Sequence, residues 1–358
     1  MSTRTRKAKR SDGKPVALVA GGAGFLGSHL CERLLASGSK VVCIDNLQTG
    51  SRDNLRSFAS HDDFSLIVAD ICDPLPALAR VDAIYNLACP ASPPHYQADP
   101  IHTMMTSVVG TRNLLELART CRARFLQSST SEVYGDPELH PQQETYRGNV
   151  NPIGPRACYD EGKRAAEALC FDYRRKHQLD VRVARIFNTY GPRMRADDGR
   201  IVSNFVVQAL SGEPMTIYGT GEQTRSFCFV SDLIEGLIRL MTIEDNPDVP
   251  INIGNPEEYS IKQFATLIGA LTGSFTRLVY QPLPCDDPRC RRPDIRRAQK
   301  ILDWKPRVSV RHGLALTIEW FAAELGRGRP GTPIGTPRPV VDFDLQAITR
   351  VDALDTRS

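Results

Sequence analysis

Residues 16–27 have the sequence VALVAGGAGFLG, and this stretch decides the fold of the amino-terminal half. Its first five residues are apolar and predict a buried strand, and a helical pattern of apolar residues begins at Phe25. Glycines 21, 24 and 27 lie where a tight turn, a close ligand and close helix–strand packing each exclude a side chain. The start of such a helix offers free N–H groups to a pyrophosphate. The stretch therefore predicts a dinucleotide-binding strand–turn–helix unit.

A carboxylate after the next strand indicates which dinucleotide is bound. Asp45 lies eighteen residues past Gly27, where the acidic residue of this motif bonds the adenine ribose hydroxyls. Its charge repels a 2′-phosphate and favours NAD over NADP, although Arg52 is near enough in sequence to weaken that preference. Asp70 and Ile71, after the third strand, are expected to contact the adenine.

Outward from this unit, apolar runs alternate with amphipathic stretches as far as residue 187. The runs predicted as strands are residues 16–20, 40–45, 64–69, 83–88, 125–128 and 181–186. The stretches predicted as helices are residues 25–37, 101–122 and 157–177. Strands that are apolar throughout are typical of a parallel sheet covered on both faces. The pattern therefore predicts an α/β fold, a Rossmann-type doubly wound parallel sheet with a smaller mixed α/β substrate domain.

The composition divides the chain into four segments. We predict a disordered basic arm (residues 1–14), an NAD-binding domain (15–187), a substrate domain (188–327, with some interleaving) and a flexible tail (328–358). The arm carries six Lys or Arg against one Asp, so it accounts for the formal net charge of +4. The rest of the chain has no basic excess that would indicate a nucleic-acid partner.

The composition also excludes several classes of protein. Hydrophobic residues make up 41% and charged residues 24% of the 358 residues, which is typical of a globular protein. No apolar run reaches the ~20 residues of a membrane span, and the start of the chain has no export signal. We therefore expect a cytoplasmic protein without a membrane partner. The ten cysteines are expected to be reduced, and no His or Cys spacing predicts a metal site.

Two polar segments predict the chemistry. Residues 128–132 (SSTSE) end the fifth strand, at the sheet edge where such folds bind ligands. Tyr159 and Lys163 are four residues apart in a predicted helix, so the phenol and the ammonium share one face. A nearby cation lowers the phenol pKa from ~10. We therefore expect Lys163 to help Tyr159 accept a hydroxyl proton while a hydride leaves the adjacent carbon.

Longer motifs resemble the extended short-chain dehydrogenase/reductase family, and within it the UDP-glucuronate decarboxylases. The resemblance covers roughly residues 15–325. It rests on residues 86–94 (NLACPASPP), 128–137 (SSTSEVYGDP), 151–163 (NPIGPRACYDEGK), 184–194 (ARIFNTYGPRM) and 286–294 (DDPRCRRPD). These matches are far more specific than the glycine spacing.

The resemblance implies that UDP-glucuronate is oxidised at C4, loses CO₂ as a β-keto acid, and is reduced again to UDP-xylose. The 4-keto group is the electron sink, so NAD is the only cofactor implied. The implied catalytic residues are Tyr159, Lys163, Thr130, Ser131, Glu132 and Arg291. Tyr159 would accept the C4 hydroxyl proton, and Thr130 would bond the C4 oxygen. Glu132 and Arg291 would act as the decarboxylation pair.

Ser131 also distinguishes decarboxylation from dehydration. Dehydratases of the family carry an aspartate after the threonine, whereas a serine is a poor proton donor to a leaving hydroxyl. In a decarboxylase, Ser131 would instead bond the substrate carboxylate. A simple 4-epimerase has little use for Glu132 beside the sugar.

The resemblance further implies the binding residues and a homodimer packed through long helices. Cofactor contacts are expected from Gly21, Gly24, Phe25, Leu26, Gly27, Asp45, Asn46, Thr49, Gly50, Asp70, Ile71, Leu87, Thr106, Tyr159 and Lys163. Substrate contacts are expected from Asn188, Arg200, Asn204, Tyr218, Gln223, Arg225 and Arg291. The chain carries Met105 and Ser107 where family decarboxylases commonly carry Lys and Asn, so we expect a weakened substrate contact there.

Two other functions stay open at this point. One is a relative that epimerises a UDP-sugar at C4 or releases a 4-keto pentose. The other, from a different class, is a regulator that binds NAD and a nucleotide sugar without turnover. The complete set of Thr130, Glu132, Tyr159 and Lys163 argues against the regulator.

Overall fold

The computed structural model describes residues 13–274 and 276–327. Residues 1–12, which make up most of the predicted basic arm, and the predicted tail at 328–358 lie outside the described residues. Among the described helices, none is long and apolar enough to cross a membrane.

The centre of the protein is a seven-stranded parallel sheet. The described strands are β1 (Val16–Ala20), β2 (Lys40–Asp45), β3 (Phe64–Val68), β4 (Ala83–Asn86), β5 (Arg124–Thr130), β6 (Val181–Ile186), β7 (Thr189–Tyr190), β8 (Met215–Tyr218), β9 (Thr224–Ser226), β10 (Cys228–Phe229), β11 (Ile251–Ile253), β12 (Glu258–Ser260), β13 (Leu278–Gln281) and β14 (Cys290–Arg291). The large sheet has the order β11-β6-β5-β4-β1-β2-β3. From β1 the strand order runs outward to β3 on one side and from β4 outward on the other side, so the order reverses between β1 and β4. Ligands bind at this point of reversal in such sheets. Because β11 pairs with β6, the chain after residue 187 returns to this sheet.

The described helices confirm most of the predicted ones. They are α1 (Phe25–Ala36), α2 (Pro93–Ala98), α3 (Pro100–Met105), α4 (Thr111–Cys121), α5 (Ala157–His177), α6 (Ile201–Ser211), α7 (Val230–Thr242), α8 (Ile261–Thr272), α9 (Arg296–Leu302) and α10 (Val310–Arg327). The single helix predicted at 101–122 was wrong in detail, because a π-helical turn at Thr106–Gly110 separates α3 from α4. Gly110 lies in that turn, and a methyl group there would come within 2.5 Å of Ile71.

Alternate residues of β1 point to two separate cores. Ala17 and Val19 pack in the cluster that includes Leu30 of α1, whereas Leu18 packs with Leu114 of α4 on the other face. The central strands are therefore covered on both faces, which explains why they are apolar throughout. This confirms the predicted Rossmann-type doubly wound sheet.

Smaller sheets extend beyond the carboxyl edge of the large one. The order β12-β9-β14 places β9 next to β14, and their register sets Arg225 opposite Arg291. Two arginines that are far apart in sequence are thus neighbours across these strands, at one end of the cleft. All ten cysteines lie in the described residues, and all are free thiols.

Candidate active site

The turn between β1 and α1 has room for backbone but not for side chains. Gly21 has a φ of +76°, and a β-carbon there would lie 2.8 Å from the backbone of Leu87 and Ala88. A β-carbon on Gly27 would overlap the Gly21 carbonyl oxygen. No side chain caps the start of α1 at Gly24, so its first N–H groups are free to meet an anion. These features fit the pyrophosphate of NAD.

Asp45 holds this turn together from the end of β2. Its Oδ2 accepts from Ala23 N at 2.9 Å, and its Oδ1 accepts from Leu47 N at 2.8 Å. Burial raises the pKa of Asp45, and these backbone N–H groups oppose that rise. Gly50 packs directly behind the carboxylate, where a β-carbon would lie 2.7 Å from Oδ1.

A second carboxylate, Asp70, lies farther along the same cleft. Its Oδ2 is 2.8 Å from His102 Nε2 and accepts from Asn46 Nδ2, also at 2.8 Å. Candidate ligand atoms of Asp70, Cys72 and His102 lie within 4.8 Å of one another, a group that the sequence spacing did not indicate. Because burial raises the pKa of the Cys72 thiol to about 11, it is poorly suited to bind a metal as a thiolate.

Tyr159 and Lys163 are both buried on one face of α5, as predicted. Lys163 Nζ donates to the Ser128 carbonyl oxygen at 3.0 Å and lies 5.7 Å from the centre of the Tyr159 ring. Burial raises the pKa of Tyr159, and a hydrogen bond with Thr130 and the charge of Arg200 oppose that rise. The net shift is therefore opposite to the lowering by Lys163 that the sequence predicted. Burial also lowers the pKa of Lys163.

The Tyr159 ring is also covered by a residue that sequence reasoning missed. Tyr96 of α2 stacks on it with a centroid separation of 5.1 Å and an interplanar angle of 5°. The stacked pair fixes the orientation of the phenol toward the cleft.

Glu132 lies between two guanidinium groups in the turn after β5. Its Oε2 accepts from Arg156 Nη2 at 2.5 Å and from Arg291 Nη2 at 3.1 Å. Burial would raise the pKa of Glu132, but Arg291 and Arg156 outweigh it and hold the pKa at about 2. The predicted neighbours Glu132 and Arg291 therefore meet, but Arg156 makes the arrangement a group of three.

A loop closes the end of the cleft beside these residues. Arg225 of β9 is buried and donates to Asp287 Oδ2 at 2.7 Å. The same loop is fastened at Asp286, which accepts from Asn151 Nδ2 at 3.2 Å. Arg200 pairs instead with Asp198 on the segment before α6.

These residues line one continuous cleft of about 560 Å³ that runs from the glycine turn to the loop at residues 284–291. Every predicted cofactor, catalytic and substrate residue lines it except Gly50, which lies behind Asp45. Missed lining residues include Tyr96, Arg156 and Asp287. Arg156 could have been found from the motif at 151–163, in which it lies three residues before Tyr159.

The two departures from the family pattern do not lie among the residues that line the cleft. Met105 is 40% exposed, and Ser107 is buried with its Oγ 3.5 Å from Cys89 Sγ. The structure therefore gives no support for the predicted weakening of a substrate contact at these positions.

Comparison with known proteins agrees with this architecture. Residues 18–317 match the family model described as GDP-mannose 4,6 dehydratase. The chain is 52% identical over 322 residues to UDP-glucuronic acid decarboxylase 1 of Xenopus tropicalis, covering 90% of this chain and 76% of that protein. It is 53% identical over 310 residues to UDP-glucuronic acid decarboxylase 5 of Arabidopsis thaliana, covering 86% and 90%.

Solved structures of related enzymes have the same fold. The UDP-glucuronic acid 4-epimerase of Bacillus cereus, in complex with UDP-glucuronic acid and NAD, superposes with a TM-score of 0.76 at 28% identity, covering 87% of this chain and 99% of that one. The UDP-glucose 4-epimerase of Thermotoga maritima with UDP-glucose gives a TM-score of 0.79 at 31% identity, with coverages of 87% and 99%. The chain belongs to the UDP-glucuronic acid decarboxylases, within the nucleotide-sugar branch of the extended short-chain dehydrogenases/reductases.

Proposed function

We propose that the protein converts UDP-glucuronate to UDP-xylose and CO₂ by oxidation at C4, loss of the C6 carboxylate and reduction at C4. The observation that carries this proposal is an ionised glutamate, Glu132, held by Arg156 and Arg291 in the same cleft as Tyr159. Simple hydride transfer needs only the tyrosine, whereas the guanidinium groups that hold Glu132 beside the sugar fit a carboxylate-bearing substrate.

NAD is the cofactor that we propose for this cleft. Gly21, Gly24 and Gly27 would hold its pyrophosphate against the start of α1, and Asp45 would bond its adenine ribose. When bound, NAD would supply a reversible hydride acceptor for C4 of the sugar and positive charge near the reacting hydroxyl. Lys163, already placed between Tyr159 and Ser128, would hold the second ribose.

Tyr159 is proposed to take the proton of the C4 hydroxyl. Because burial raises its pKa, the phenol needs positive charge nearby to act at neutral pH, and Arg200 supplies part of it. Thr130, which hydrogen bonds with the phenol, would share the C4 oxygen and fix its position. The same phenol then returns the proton when C4 is reduced, so Tyr159 ends the cycle in the state in which it began.

Loss of CO₂ is proposed to depend on Glu132, Ser131 and Arg291. The C5–C6 bond breaks, and its electron pair moves into the C4 carbonyl to give an enolate. A proton taken up from water then adds at C5. The bond breaks fastest when the carboxylate stands out of the enolate plane. We infer that Arg291 and Ser131 orient the carboxylate while Glu132 enforces that sugar pose.

The UDP group is proposed to lie along the part of the cleft formed after residue 187. The proposed contacts are Asn188, Arg200, Asn204, Tyr218, Gln223, Arg225 and Arg291, all of which line it. Arg225 would give a charge-assisted contact to the diphosphate, and Tyr218, which is 43% exposed, would pack on uracil. On this proposal residues 15–187 form the NAD-binding domain and 188–327 the nucleotide-sugar domain. We also propose a cytoplasmic homodimer packed through its long helices, and light scattering would test the dimeric state.

Product analysis tests the function. Purified protein with trace NAD⁺ and UDP-glucuronate should give UDP-xylose and CO₂ by NMR. Accumulating NADH with a 4-keto pentose, or UDP-galacturonate, would show the alternative relative instead. Measurable binding with unchanged substrate would show a regulator. Either of the last two results would contradict the proposal.

A further inference from the structure

Arg156 is a buried cation for which the catalytic scheme above has no separate role. It directly precedes α5 and lies three residues before Tyr159, with its side chain only 12% exposed. Its guanidinium lines the cleft and crosses to the turn after β5. A buried guanidinium is costly unless it is paired, so its partners indicate what it does.

The two oxygens of Glu132 have different surroundings. Oε2 accepts from Arg156 at 2.5 Å and from Arg291 at 3.1 Å, so two cations anchor one oxygen. Oε1 accepts from Ser131 Oγ at 3.5 Å, which is a long and weak contact. The carboxylate is thus fixed through one oxygen while the other stays available to a substrate or a water.

The two cations are themselves held differently. Arg291 also donates to the Ser131 carbonyl oxygen, so it is fixed to the turn that carries Glu132. Arg156 is held from its other side by Asp287, whose Oδ1 is 3.5 Å from Nη1, and by Asp160, whose Oδ2 is 4.0 Å from Nε.

The contact with Asp160 is incomplete. Within the described part of the chain, Arg156 Nε and Asp160 Oδ1 are buried and make no hydrogen bond. The strongest contact of Arg156 is therefore the one to Glu132. This distribution favours a role directed at Glu132 over a role in fastening α5.

We propose that Arg156 is a positioning residue for decarboxylation, which it serves by holding Glu132 ionised and in a single orientation through Oε2. The inference rests on the proposed function, because it assigns a role within that reaction. Without Arg156, only Arg291 donates a hydrogen bond to Oε2 of Glu132. The carboxylate can then rotate and take up a proton more easily. Oxidation at C4 does not use Glu132, so Arg156 acts on the second step and not on the first.

The test separates the two steps in Arg156→Met, which keeps much of the side-chain volume and removes the charge. In single turnover with UDP-glucuronate, reduced nicotinamide should form within about 3-fold of the wild-type rate, while release of labelled CO₂ from C6 falls about 100-fold. Reduced nicotinamide should accumulate as a result. The acid limb of the pH profile for CO₂ release should move to higher pH, because Glu132 has lost a cation.

Matched variants complete the experiment. Arg156→Lys keeps the charge and should recover most of the CO₂ release, and Arg175→Met removes an exposed arginine from the same helix and should behave as wild type. If the methionine variant does not fold, the same two rates and the same pH profile are measured on Arg156→Gln instead. Equal losses in both steps with an unmoved pH profile would show a merely structural role and overturn the inference. So would unchanged CO₂ release.

Wild-type protein distinguishes this inference from the function on which it rests. If wild type produces no CO₂ from UDP-glucuronate, the proposed function fails. If wild type is active and Arg156→Met releases CO₂ at the same rate, only the inference about Arg156 fails.

Discussion

Replacing Glu132 by glutamine removes the charge between two buried arginines while keeping the shape of the side chain. Arg291 and Arg156 hold the pKa of Glu132 at about 2 instead of 4.5, against the effect of burial. That difference favours the ionised form in the folded protein by roughly 3 kcal/mol. Because the folded pKa is the lower one, this stabilisation is fully present above pH ~4.5 and is lost as the pH falls toward 2.

Glu132→Gln should therefore lower the free energy of unfolding by roughly 3 kcal/mol at pH 7. Urea denaturation measures this loss, and Glu138→Gln, which changes an exposed glutamate nearby, should leave the free energy of unfolding nearly unchanged. In single turnover the Glu132 variant should still reduce the nicotinamide, but it should release CO₂ about 100-fold more slowly. A loss of stability below about 1 kcal/mol, together with wild-type CO₂ release, would refute both the ion-pair argument and the role of Glu132.

Three further predictions concern Tyr159, Gly27 and Asp160. Tyr159→Phe should lower nicotinamide reduction by about 100-fold or more, measured by absorbance in single turnover, while UDP-glucuronate still binds. Gly27→Ala should weaken NAD binding by calorimetry at least about 10-fold, because its β-carbon would overlap the Gly21 carbonyl oxygen. Burial and the charge of Glu132 raise the pKa of Asp160 to about 8, against the opposing charges of Arg156 and Arg291. Ionised Asp160 adds negative charge 4.0 Å from Arg156, so the affinity for the anionic UDP-glucuronate, measured by calorimetry, should fall above pH 8. Asp160→Asn should flatten this dependence, and a pH profile unchanged in that variant would contradict the assignment.

Local sequence predicted the parts of the fold that depend on neighbouring residues. The strand, glycine turn and first helix follow from residues 16–27 alone, because close packing excludes side chains within the turn itself. Tyr159 and Lys163 share a helix face because helical spacing fixes it. The π-helical turn at Thr106–Gly110 was missed, because apolar spacing does not show where one extra residue enters a helical turn.

Contacts between distant segments were harder to predict. Arg156 meets Glu132 only because β5 ends and α5 begins at the same edge of the sheet. Arg291 reaches Glu132 through the register of β14 on β9. The predicted lowering of the Tyr159 pKa by Lys163 was wrong for a related reason. Spacing places the ammonium on the correct face, but it gives neither the burial of the phenol nor the bond from Lys163 to Ser128.

In the proposed reaction, hydride leaves C4 of the sugar acid before its carboxylate is lost and then returns to C4. UDP-glucuronate carrying deuterium at C4 tests it most directly, with the nicotinamide and the product analysed after rapid quenching. The account predicts deuterium on the reduced nicotinamide at early times and at C4 of UDP-xylose at the end. CO₂ released without deuterium ever appearing on the nicotinamide would contradict it.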